Sequence, residues 1–144
     1  MSGSYKTCPC NAGYYSDTAY LCQACHPSCA TCTNSTKCDT CPSNAVLDAV
    51  TQICVCPTSY QWDPNAVNSC IACHYSCVTC SLPTISTACS TCNNVSSHRV
   101  KVNTSCQCWN GYYDGGSSVC GTCNYKCLTC TGSSSSACST CAAN

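Results

Sequence analysis

The chain has 144 residues, 24 of them cysteine, no Phe, and a net charge of zero with only 7% charged side chains. That charge excludes a basic nucleic-acid footprint and a polybasic membrane patch, and no apolar run reaches the length of a membrane-spanning helix. Cysteine above about a tenth of the residues marks a disulfide scaffold, which persists in an oxidising compartment, so we expect an extracellular or cell-surface chain.

Large side chains able to build a core are mostly Tyr, with Trp62 and Trp109. Burial of so few does not offset the entropy of ordering the chain, so cross-links must carry the stability. The expected fold is a small disulfide-rich repeat protein, with short β-hairpins and loops stacked as an elongated rod and little or no helix. Met1 to Lys6 contains no apolar signal core, so we expect a chain without its signal, or part of something longer.

Taken in order, the cysteines repeat three times with one spacing: C-x-C, a loop, C-x2-C-x3-C-x2-C, a second loop, and C-x2-C. The expected domains are residues 1–53, 54–105 and 106–144, the third lacking the linker that follows Cys41 and Cys92. After each C-x-C comes an aromatic turn: Asn11-Ala-Gly-Tyr-Tyr15, the degenerate Thr58-Ser-Tyr-Gln-Trp62, and Trp109-Asn-Gly-Tyr-Tyr113. Gly before paired aromatics predicts a turn feeding a hairpin, whose return strand is expected to end at Cys22, Cys70 or Cys120 with the rings over a disulfide.

The loop before each final C-x2-C is polar and expected to be exposed. The linkers, residues 42–53 and 93–105, carry Val46, Leu47 and Val50, then Val95, Val100 and Val102, and predict short strand pairs. Sequons at Asn34, Asn94 and Asn103 predict N-linked glycans.

No catalytic residue, metal or cofactor is expected. Asp17, Asp39, Asp48, Asp63 and Asp114 sit singly in different loops, without a pair placed for acid–base work. His26 and His74 recur after the second knot cysteine, but Asn124 replaces them in the third repeat, which reads as turn packing. Zinc is the rival for C-x2-C pairs, yet four cysteines in eleven residues crowd thiolates more tightly than zinc ribbons do. A redox C-x2-C lacks its usual βαβ setting.

Pairing is not fixed by spacing, because eight cysteines allow 105 arrangements. Direct bonding within C-x-C closes a strained ring, so its two cysteines take different partners. Cys25-His-Pro-Ser-Cys29-Ala-Thr-Cys32 followed by Cys38-Asp-Thr-Cys41 resembles the furin-like cysteine-rich repeats of growth-factor receptors and proprotein convertases. The array from Cys8 to Cys141 also resembles ciliate immobilisation antigens, which are surface proteins.

The furin-like resemblance implies Cys25–Cys32, Cys29–Cys38 and Cys41–Cys54, then Cys73–Cys80, Cys77–Cys89 and Cys92–Cys106, then Cys123–Cys130 and Cys127–Cys138. The remaining cysteines close hairpins as Cys10–Cys22, Cys56–Cys70 and Cys108–Cys120. Cys8 and Cys141 are left open. Either the chain belongs to a longer array, or Cys141 joins Cys8 of the next copy, or the phase is wrong and each repeat closes on itself.

These readings lead to an extracellular structural repeat protein, laddered by disulfides, glycosylated, and partnered by copies of itself head-to-tail or by neighbouring repeats. A receptor- or adhesin-like binding module and an intracellular zinc protein are the alternatives.

Overall fold

The computed structural model describes residues 9–65, 68–93 and 95–142. Among the described residues fourteen short strands form antiparallel hairpins, each odd-numbered strand pairing with the strand that follows, and there is no helix. The first repeat holds β1 (Tyr14–Ser16) and β2 (Cys22–Ala24), and its linker leads through β3 (Val46–Leu47) to β4 (Cys54–Val55). The second holds β5 (Tyr60–Trp62), β6 (Cys70–Ala72), β7 (Thr79–Cys80) and β8 (Cys89–Thr91). Its linker supplies β9 (Arg99–Val102), paired with β10 (Ser105–Cys108). The third holds β11 (Tyr112–Tyr113), β12 (Gly121–Thr122), β13 (Cys127–Cys130) and β14 (Cys138–Cys141).

The chain forms two compact units. One comprises residues up to Pro57 together with Trp62–Cys70, and the other Thr58–Gln61 together with residues from Ile71 on. The divide therefore falls inside the second cysteine repeat.

The aromatic turn is built the same way three times. Gly13 and Gly111 both adopt φ 82°, a left-handed conformation open to glycine, and Ser59 adopts φ 71° at the matching place. The carbonyls of Gly13, Ser59 and Gly111 accept the N–H of Cys25, Cys73 and Cys123, each at 2.8 Å. This bond ties the turn to the knot, so Ser59 holds the strained conformation for the same reason as the glycines.

Replacing Ser59 with Gly is expected to stabilise its unit by about 0.5–1 kcal/mol, the left-handed strain relieved outweighing the added entropy of the unfolded chain. G111A is expected to cost about 1–2 kcal/mol, although its Cβ would meet no atom within 4 Å. Denaturant midpoints of the oxidised variants measure both.

The return strands depart from expectation. β2 and β6 begin at Cys22 and Cys70, and β12 begins just after Cys120. In the first hairpin Ser16 pairs with Cys22, because Asp17 closes the loop ahead of it. Its Oδ1 accepts the N–H of Ala19 and Leu21, both at 2.9 Å, and its Oδ2 accepts Gln23 Nε2–H at 3.0 Å. With residues 17–21 occupied in that loop, the ladder starts at the cysteine.

Tyr15 packs against the cystine cluster of its repeat. Tyr113 lies on Gly121 instead, where an added Cβ would meet the ring at 2.6 Å. G121A is therefore expected to cost about 1–3 kcal/mol by overpacking, read as a lower unfolding midpoint.

The linkers do form strands, but the valines and Leu47 do not enter the core; Ala45 and Ile53 are the linker residues packed against cystine in the first unit. Val46, Leu47, Val100 and Val102 stay exposed, and Val50 and Val95 lie outside the strands at 91% and 84% exposure. The buried apolar positions are nearly all cysteine.

Candidate functional site

Sulfur makes the core. In one unit Cys25, Cys29, Cys32, Cys38 and Cys54 cluster, with Tyr15, Ala45 and Ile53 packed around them. In the other, Cys77, Cys80, Cys89 and Cys106 cluster, with Cys73 and Cys92 against them. Each cluster joins a C-x2-C-x3-C-x2-C knot to the first cysteine of the following C-x-C.

Eleven disulfides are described. Hairpins are closed by Cys10–Cys22, Cys56–Cys70 and Cys108–Cys120. Knots are closed by Cys25–Cys32, Cys73–Cys80 and Cys123–Cys130, and by Cys29–Cys38, Cys77–Cys89 and Cys127–Cys138. Cys41–Cys54 and Cys92–Cys106 tie one cysteine repeat to the next. The knot and inter-repeat bridges coincide with the pairs that the furin-like resemblance implies, and the hairpin bridges with those left to the remaining cysteines. Cys141 is free and exposed, whereas Cys8 lies outside the described residues.

The sulfurs of Cys77, Cys89 and Cys106 lie within 4.8 Å of one another. All three are in disulfides, so two packed cystines account for this proximity without a metal.

Around the sulfur, short polar contacts hold the loops. His26 Nδ1 lies 2.8 Å from Ser28 Oγ and accepts the Ser28 N–H at 3.2 Å; His74 repeats both contacts with Ser76, at 2.8 and 3.3 Å. Each histidine therefore caps the x3 turn of its knot. The His98 ring stacks on Tyr112 at 4.1 Å.

Asp48 accepts the N–H of Thr51 at 2.7 Å and of Val50 at 3.0 Å. Those bonds, led by Thr51, hold its carboxyl below the usual range, as the Leu21 N–H does most strongly for Asp17.

Two features escape a reading of the sequence. The first is a cross-strand threonine pair. Thr31–Thr40, Thr79–Thr91 and Thr129–Thr140 each bring hydroxyl oxygens to 2.6 Å on an exposed face. The signal was present, because Thr precedes the fourth knot cysteine and the last cysteine in every repeat.

The second is Arg99, with no exposed surface at all. Its guanidinium forks onto Asp114, Nη2 to Oδ1 at 3.0 Å and Nη1 to Oδ2 at 3.2 Å. The other donors reach the carbonyls of Cys106 at 3.0 Å, Ser117 at 2.7 Å and Ser118 at 3.1 Å. All five N–H groups are thus used. The Tyr75 hydroxyl donates to Asp114 at 3.2 Å, and the guanidinium sits 5.6 Å from the Tyr75 ring centre.

Burial works to raise Asp114, but the Arg99 hydrogen bond, the Gly116 N–H, the charge of Arg99 and the Tyr75 hydroxyl outweigh it and hold its carboxyl low. Burial first, and Asp114 second, push the Tyr75 hydroxyl up.

Asn34 is half-buried and opens a short turn, bridged to Lys37. Its Oδ1 accepts the Thr36 N–H, the Thr36 hydroxyl and the Lys37 N–H, each at 3.0 Å, which leaves Nδ2 without a partner among the described residues. Asn103 is exposed at the tip of the β9–β10 hairpin, at φ 54°. Asn94 lies outside the described residues.

No family model matches the chain, and neither the curated proteins nor the solved structures searched contain a match. The dense disulfide pattern fits a secreted or extracellular protein, and no helix among the described residues is long and apolar enough to cross a membrane.

Proposed function

We propose that the chain is a structural repeat protein of an extracellular coat or surface filament, without enzymatic activity. The observation that carries this reading is the burial of Cys54 and Cys106 in the cystine clusters of the repeats before them. Covalent coupling through the core makes each repeat a support for its neighbour, which suits mechanical and protease resistance. Glycans on Asn34, Asn94 and Asn103 shield the surface. Copies of the chain, or neighbouring repeats of a longer one, continue the ladder through Cys8 and Cys141, in the manner of furin-like repeats and ciliate surface antigens.

A non-reducing peptide map with glycan masses, on material from the native source, tests it. The expected result is Cys141 in a bond to Cys8 of another copy or to a cysteine of a further repeat, with sugar on Asn34 and Asn103. A reduced Cys141 and bare asparagines would remove the reading.

One feature favours a second reading, an adhesin-like binding module. A cavity of about 470 Å³ is lined by His26, Pro27, Trp62, Asp63, Asn65 and Asn68. An indole beside a carboxylate and amides suits a neutral sugar. Quenching of tryptophan fluorescence by oligosaccharides, lost in Trp62→Ala, is the outcome that reading requires.

A further inference from the structure

In the first two repeats the face behind the last C-x2-C is covered in one way. The first cysteine of the next C-x-C enters the core, with Cys54 at 2% and Cys106 at 5% exposure. Its sulfur lies 3.7 Å from the carbonyl of Thr40 or Thr91. The residue two positions before it lends a carbonyl: Cys38 N–H donates to Gln52 at 2.8 Å, and Cys89 N–H to Thr104 at 2.7 Å.

One difference between the two faces falls on a matched pair of positions. Pro27 in the first repeat stands where Tyr75 stands in the second. Ala45, just before Val46 in β3, stands where Arg99 stands opposite Cys108 in β9. The small residue is matched with the small one, and the tyrosine with the arginine whose guanidinium it faces.

The third repeat has the same acceptor side. Cys127–Cys138 is bonded as Cys77–Cys89 is, Thr129 and Thr140 pair as Thr79 and Thr91 do, and Tyr125 takes the place of Tyr75. What differs is cover. Tyr125 is 83% exposed against 42% for Tyr75, Cys138 is half-exposed where Cys38 and Cys89 are buried, and the Cys141 thiol is exposed.

We propose that Tyr125, Cys138, Thr140 and Cys141 form a docking face for a C-x-C β-hairpin of a further cysteine-rich repeat, one that carries an Arg cross-strand from its second cysteine. The hairpin's carbonyl two residues before its first cysteine accepts the Cys138 N–H, and its guanidinium stacks over Tyr125. Its first cysteine then faces Cys141. The bond closes when the two thiols give two electrons and two protons to a disulfide oxidant of the glutathione class, which leaves as two thiols. This inference rests on the array reading and adds to it the partner's identity.

The test uses the full chain and a peptide of its own residues 97–110 with C108S, carrying Cys106 as a mixed disulfide with glutathione. The Cys141 thiolate attacks the Cys106 sulfur, the peptide is captured, and glutathione leaves as a thiol. Mass spectrometry follows the adduct. We expect capture at least about tenfold faster than for a peptide of scrambled order. The advantage disappears with R99A in the peptide or Y125A in the protein, while both proteins react equally with glutathione disulfide alone.

Equal capture of the scrambled peptide, or an unchanged rate in Y125A, overturns the docking face. A peptide of residues 1–9, activated at Cys8, that outpaces the Arg peptide overturns the assigned partner in favour of a second copy. Neither result changes the native cross-link map, so failure here is separable from failure of the array reading.

Discussion

Replacing Cys29 and Cys38 together with serine is expected to lower the stability of their unit by about 3 kcal/mol or more. Both sulfurs are buried, at 1% and 5% exposure, and they sit at the centre of the first cluster. A loop of about ten residues contributes roughly 2.7 kcal/mol by chain entropy, and the two hydroxyls left in an apolar site add a desolvation cost. Domain stabilities run only about 5–15 kcal/mol, so a single bridge is a large share.

The double variant is the right one, because a lone Cys38 thiol would attack the neighbouring cystines and scramble them. A guanidinium titration of the oxidised protein, with the other bridges verified by peptide mapping, reads the loss. Full reduction in native buffer is expected to abolish the hairpins altogether. A reduced chain that kept slow amide exchange in β9 and β10 would show that a non-covalent core exists after all, contrary to the exposure of Val46, Leu47, Val100 and Val102.

What the sequence disclosed follows from what repeats. The hairpins, the position of the aromatic turn and the exposed loops all lie at fixed offsets from cysteines, and three copies make such offsets visible. Gly13 and Gly111 announce their turn, whereas Ser59, which adopts the same left-handed conformation, does not. The starts of β2 and β6 were misplaced because the loop is closed locally, in the first hairpin by the Asp17 carboxylate, and nothing in the alternation of residues reveals that closure. The valines of the linkers announce strand pairs, which form, but their alternation does not disclose that cystine rather than valine fills the interior.

Arg99 was not legible for a different reason. It opens a strand of apolar alternation, fifteen residues before Asp114, and no matching pair occurs in the first linker, where Ala45 takes its place. Proximity there is created by two hairpins meeting, which no local pattern encodes.

That junction yields the second large effect. Arg99→Ala is expected to cost about 2–4 kcal/mol, since it strips donors from the carbonyls of Cys106, Ser117 and Ser118 and leaves the Asp114 carboxylate without its fork. The carboxylate share is the smaller part, because Asp114 remains 43% exposed and water replaces some of the lost attraction. Arg99→Lys is expected to recover less than half, because an ammonium has no planar fork to serve a carboxylate and three carbonyls together.

The disulfides on either side confine the damage. Cys92–Cys106 and Cys108–Cys120 still hold the chain, so the loss appears as local opening. Amides of Val100 to Cys106 should exchange faster in R99A while those of the Cys25–Cys38 knot do not change. An unaltered exchange rate in β9 and β10 would refute the role given to the arginine.

Acid separates charge from hydrogen bonding at the same site. A carboxyl held below its unfolded value near 3.9 contributes stability that is present above that pH and is lost as the pH falls through the folded value. Opening of the junction should therefore accelerate below about pH 4 in the parent. In D114N, which keeps an acceptor for the guanidinium but cannot ionise, that acid limb should flatten.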